Sequence, residues 1–188
     1  MAGSLFGALV LTSCGGESNG DLDPGSASAA PEYGSMIEAA PPKLRKLYEG
    51  EGAGGLLDGG AEALERRIAA LEGIPIVINK WASWCGPCRQ EFPALQQQAA
   101  ERGDEVAFIG VNSADSVDAA ETFLDGHPVP YPSYSDPDEE IATLFGAINF
   151  PETIFLDRDG DVAHVKSGPY LEEAELAADI ERYGLSGG

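Results

Sequence analysis

The chain has 188 residues, 32 Asp and Glu against 11 Lys and Arg, and a formal net charge of −21. That balance excludes nucleic-acid partners, which need clustered cations, and docking on anionic lipid by charge alone. The length suits one domain with its own core, the 43% apolar content excludes a wholly disordered chain, and three cysteines exclude a disulfide scaffold.

In chain order, Leu5–Leu11 is an apolar run too short to span a bilayer, and Thr12-Ser13-Cys14-Gly15 follows it. An ordinary secretory signal or an unstructured terminus would account for such a run. It also resembles a bacterial lipoprotein signal, in which the chain is cut before the cysteine and the new terminal Cys carries the lipid. That resemblance implies a signal segment over 1–14, lipidation at Cys14 and an extracytoplasmic protein anchored to the bacterial cell membrane. Residues 1–4 carry no Lys or Arg, a departure from the positive start of such signals. Residues 15–40 are expected to be a flexible tether. Their Gly-, Ser-, Ala- and Asp-rich first part would reach about 20–25 Å as a random coil.

A helical N-terminal extension is expected over 41–72. Pro41-Pro42 can open a helix carrying Leu44, Leu47 and Tyr48, a Gly-rich break spans Gly50 to Gly60, and Ala61–Leu71 is amphipathic. A domain over 73–185 follows. Ile74–Trp81 reads as a buried strand, Pro87–Arg102 as a helix, Val106–Val111 as a second buried strand and Val117–Leu124 as a helix. Tyr131–Tyr134 is a short strand and Asp138–Phe145 a short helix. Thr153–Leu156 and Asp161–Ser167 form a hairpin around Asp157-Arg158-Asp159-Gly160, and Leu171–Tyr183 is a last helix with Leu171, Leu176, Ile180 and Tyr183 inward. The order implies an α/β fold, a central mixed sheet flanked by helices.

The chemistry concentrates in Trp84-Cys85-Gly86-Pro87-Cys88. Cys-x-x-Cys at a helix start places two thiols within disulfide reach. The first meets the free N–H groups and positive dipole end, which stabilise a thiolate. Cys85 is therefore the expected attacking thiol and Cys88 the resolving one. Pro87 costs no hydrogen bond in the first turn, and Gly86 and Pro87 tune the redox poise. Two other readings compete: half a zinc site, which lacks a second Cys/His pair because His127 and His164 are single and far apart, and an inert structural disulfide.

Ile74–Phe92 (IPIVINKWASWCGPCRQEF) and Asn149-Phe150-Pro151-Glu152-Thr153 resemble the thioredoxin superfamily, more narrowly its TlpA/ResA/DsbE-like extracytoplasmic thiol-disulfide oxidoreductases. The resemblance covers about residues 70–184 and assigns Val111–Asp138 to a TlpA-like insertion. It implies a thioredoxin-like fold and a cis Pro151 packed against the dithiol. Asn79 stands where thioredoxins carry a buried Asp, and an Asn cannot accept a proton in that way. Glu91, three residues after Cys88, becomes the expected acid–base group. Glu152 is expected near the site, raising thiol pKa by like-charge repulsion. For both carboxylates the alternative is a solvated surface group.

Trp84 is expected exposed on the docking surface, Trp81 in the core, Phe150 in the substrate groove, and Lys80 and Arg89 mostly solvated, with Arg89 able to help the thiolate. No cofactor and no metal is called for. The implied partners are disulfide-containing extracytoplasmic proteins, apocytochrome c among them, and a membrane thiol-disulfide electron donor, with the chain a monomer. A peroxide reductase would need a Pro-x-x-x-Thr-x-x-Cys setting, which does not occur here. A binding module with an idle dithiol is the non-enzymatic alternative.

Overall fold

The computed structural model describes residues 31–185, together with Met1 and Gly3. Cys14, the rest of the signal segment and most of the tether lie outside the described residues. The helices are α1 (Gly34–Ala39), α2 (Pro42–Glu49), α3 (Gly60–Ala70), α4 (Gly86–Arg102), α5 (Val117–Gly126), α6 (Glu140–Leu144) and α7 (Glu173–Asp179), the last continuing into a π-helical turn, Ile180–Leu185. The strands β1 (Leu56–Leu57), β2 (Ile76–Trp81), β3 (Ala107–Ser113), β4 (Ser133–Asp136), β5 (Glu152–Leu156) and β6 (Val162–Ser167) form one sheet in the order β1-β4-β3-β2-β5-β6.

The sheet is mixed, as expected: β2, β3, β4 and β1 run parallel, while β5 is antiparallel to both of its neighbours, β2 and β6. Every residue of β2 and β3 is buried, which is why both read as largely apolar runs with few polar interruptions. At the sheet centre, Gly110 on β3 faces Ser133, whose hydroxyl accepts from Trp81 Nε1 at 3.3 Å. A Cβ on Gly110 would sit 2.0 Å from that hydroxyl, so the close approach demands glycine. Trp81 stacks its edge against Phe92 of α4 and meets Phe123 of α5, joining the first helix of the site to the sheet.

Three expectations need correction. The tether stops short of residue 40, because Gly34–Ala39 is a helix whose Met36 is buried against the end of α4. The Gly-rich break hides a two-residue edge strand, Leu56–Leu57, held parallel to β4. The last helix begins at Glu173, leaving Leu171 62% exposed, while Leu176 and Ile180 do face the core.

Candidate active site

β2 ends at Trp81, and a three-residue turn delivers Cys85 to the N-cap of α4. Gly86 and Pro87 open the helix, where a missing proline N–H leaves no bond unmade. Cys85 and Cys88 are joined as a disulfide, with Cα atoms 5.3 Å apart. Cys85 Sγ accepts the Cys88 backbone N–H at 3.1 Å, so the sulfur takes up one of the helix's orphan donors. Cys85 retains 4% exposure and Cys88 none.

Trp84 is 58% exposed, its indole N–H fixed to the Ala114 carbonyl at 2.9 Å. Phe150 lies against it, ring centroids 5.1 Å apart, and the Phe150–Pro151 peptide bond is cis, as the resemblance implied. Ile148, 78% exposed, extends the apolar surface carried by this loop.

Glu91 sits behind the dithiol, one turn beyond Cys88, with no exposed surface. Its carboxyl accepts from Asn79 Nδ2 at 2.7 Å and from the Tyr170 N–H at 3.2 Å. Burial pushes its pKa up to about 7, against the pull of those two hydrogen bonds and of Lys166. A group so placed can hold or release a proton near neutral pH. The solvated-carboxylate alternative is excluded for this residue.

A stability prediction follows from the same burial. A carboxyl raised on folding favours the fold while it is neutral. That contribution is complete below pH 4.5 and is lost as pH climbs through about 7. Glu91→Gln should remove this loss, so the variant should gain about 3 kcal/mol on the wild type between pH 4.5 and 8. Urea unfolding across that range checks it; a difference independent of pH would refute the buried acid.

Residues 58–165 match the AhpC/TSA family, more than half of the chain. The chain belongs to the AhpC/TSA family. Among its relatives is the thiol:disulfide interchange protein DsbE of Allochromatium vinosum, 38% identical over 117 residues, 60% of this chain and 64% of the relative. Another is the thiol-disulfide oxidoreductase ResA of Bacillus subtilis, 27% identical over 56% of this chain and 59% of the relative. The crystal structure of a DsbE-type interchange protein from Chlorobium tepidum shares the fold at TM-score 0.57 and 28% identity, covering 62% of this chain and 84% of that one. The thioredoxin-like, DsbE/ResA-type kinship expected from the motifs is thus established. The chain spans about half to two thirds of the length of the curated relatives it matches.

Other expected residues of this AhpC/TSA chain are placed differently. Glu152 is buried and spends its carboxylate on its own loop and on the facing end of β6. It accepts from the Asn149 N–H and Asn149 Nδ2, both at 3.2 Å, and from Ser167 Oγ. Those contacts make it a brace of the Phe150–Pro151 loop rather than a free charge set against the thiols. Arg89, by contrast, is exposed, as expected, and turns toward the Ser83 carbonyl and the Phe123 ring. Lys80, expected to be solvated, is fully buried.

One residue of the site went unrecognised in the sequence. Asp115 accepts from the Ser83 N–H (2.6 Å), Ser83 Oγ (3.0 Å), Asn112 Nδ2 (3.0 Å) and the Ser116 N–H (2.9 Å). Partial burial alone would raise its pKa, but these four bonds outweigh it and hold the carboxyl below its usual value. Asp115 thereby ties the turn before Cys85 to the end of β3. Ala114, at φ 50°, takes the left-handed backbone that brings its carbonyl under Trp84. The Asn112–Ser116 run is recognisable as a turn, but its partner stands 32 residues upstream, a separation no local pattern encodes.

Proposed function

We propose that this protein is a thiol-disulfide oxidoreductase that reduces disulfides of extracytoplasmic proteins. The observation that carries the reading is the Cys85–Cys88 pair at the N-terminus of α4 with the buried Glu91 carboxyl one turn behind it. In the reduced form, Cys85 thiolate attacks a substrate disulfide and expels one substrate thiolate, leaving a mixed disulfide. Cys88, its proton taken by Glu91, then attacks the Cys85 sulfur and expels the second substrate thiolate. The substrate leaves as a dithiol, and the protein keeps the Cys85–Cys88 disulfide. Two electrons and two protons from a membrane dithiol donor restore it.

Trp84 and Phe150, with Pro151 beside them, form the docking surface, while Gly86 and Pro87 keep the first turn open to a substrate strand. The apolar character of that surface suits unfolded or partly folded clients, apocytochrome c being one such client. The organisation that accompanies this reading is a signal over 1–14, a lipid on Cys14, a tether from 15 to the start of α1, and a monomeric domain working outside the cytoplasm at the membrane. Among the described residues no helix is long and apolar enough to cross a membrane.

Equilibrating the Cys85–Cys88 pair against glutathione tests the reading. A reduction potential near about −270 mV, with turnover of insulin disulfides, is expected of a reductant; a value near about −120 mV would reverse the assigned direction. In the same preparation, membrane retention that survives Cys14→Ala would refute the tether.

A further inference from the structure

We infer that the groove between α2 and α3 is a binding site for a small organic anion, separate from the dithiol. The charge of this acidic chain is unevenly spread. Residues 41–72 hold five of the 11 Lys and Arg (Lys43, Arg45, Lys46, Arg66 and Arg67) against six acids, a net −1. Residues 73–188 hold the other six against 21 acids, a net −15. Four of the five converge on one cavity of about 520 Å³, whose walls carry only two acids, Glu51 and Asp58. Small-molecule sites commonly fall between about 300 and 1,000 Å³.

Two of these cations are already engaged: Lys43 donates to the Glu72 carbonyl at 2.7 Å, and Arg66 pairs with Glu62 on the same helix. The other two keep donors to spare. The Lys46 side chain has no ion pair or hydrogen bond among the described residues. Arg67 is half-buried and gives only its Nε–H, to Tyr134 Oη at 3.1 Å. That bond fixes the guanidinium and leaves its terminal N–H groups to the groove. In a chain with 32 acids, three cations at one cavity without a carboxylate partner among the described residues, Lys43, Lys46 and Arg67, mark a place where the field of the protein is locally positive.

The chemistry of the groove names the ligand class. A fixed guanidinium fork takes two oxygens of a carboxylate or phosphate at once, and an ammonium adds a point charge. Tyr134 Oη, an acceptor from Arg67, still has its own hydrogen to donate. Leu47, Leu57 and Leu71 supply an apolar wall. The occupant is therefore an oxyanion carried on a compact apolar body. The family match begins at residue 58, so α2, which supplies Lys43 and Lys46, lies outside the matched stretch. The groove shares no lining residue with the dithiol site, and the inference stands whether or not the thiol chemistry is as proposed.

Calorimetric titration of the full chain with phenyl phosphate, and with inorganic phosphate beside it, tests the site. Phenyl phosphate should bind, more tightly than inorganic phosphate, and its affinity should fall as NaCl is raised. The double variant Lys46→Gln/Arg67→Gln should weaken it by about tenfold or more. Arg67→Lys, which keeps the charge and loses the fork, should weaken it less. Arg182→Gln, in the π-helical turn, should leave it unchanged. Absence of binding to a folded wild type, or equal affinity in wild type and both Arg67 variants, would overturn the assignment.

Discussion

On a Cys14→Ala background, Cys85→Ser should reduce insulin-disulfide turnover to the uncatalysed background, whereas Cys88→Ser should capture substrate. The two sulfurs differ in what surrounds them. Cys85 is the helix N-cap, keeps a little exposure, and already accepts a main-chain N–H, the kind of donor that would also stabilise its thiolate. Cys88 has no exposed surface and so cannot meet an external disulfide. Without Cys85 there is no first attack. Without Cys88 the first attack still occurs, but the mixed disulfide has no resolving thiol and accumulates at one substrate per chain. Mass measurement under non-reducing conditions reads the adduct directly. Turnover retained by Cys85→Ser, or an adduct formed on Cys88 in that variant, would refute the division of roles.

The parts of this molecule legible in the sequence are those set by local pattern. Largely apolar runs named β2 and β3, and Cys-Gly-Pro-Cys after a strand named both the dithiol and the helix start beneath it. What could not be read is where individual charges go. The acidic run Asp136–Glu140 looks like solvated surface, yet Asp136 is buried, accepting from Ser113 Oγ and from the N–H groups of Ile141 and Ala142 to start α6. Glu139 in the same run reaches Lys80, 59 residues earlier. Motif position puts Glu91 and Glu152 alike at the site, but only the fold distinguishes a desolvated acid from a loop brace. Burial of a charge depends on partners distant in sequence, and neither composition nor periodicity reports it.

Lys80 carries that point furthest. A buried ammonium is tolerated only when paired and hydrogen-bonded. Here it donates to Glu139 at 2.7 Å and to the Ala147 carbonyl at 3.0 Å, and it lies 4.1 Å from the centre of the Phe150 ring. All three contacts are to the stretch leading into Pro151, so one side chain on the central strand β2 fastens that stretch to the sheet. Lys80→Met should therefore cost about 2–4 kcal/mol, through the stranded Ala147 carbonyl and the lost ion pair. The Glu139 side chain is 40% exposed and can be rehydrated, whereas Lys80 is not exposed at all. Glu139→Gln, which leaves the buried cation uncompensated, should consequently be partly rescued by adding Lys80→Met. The same loosening should reach Phe150 and its contact with Trp84. Affinity for a protein disulfide should then fall several-fold in Lys80→Met, while reaction of Cys85 with a small disulfide stays near the wild-type rate. A destabilisation below about 0.5 kcal/mol, or equal losses toward large and small disulfides, would show that Lys80 does not hold the docking loop in place.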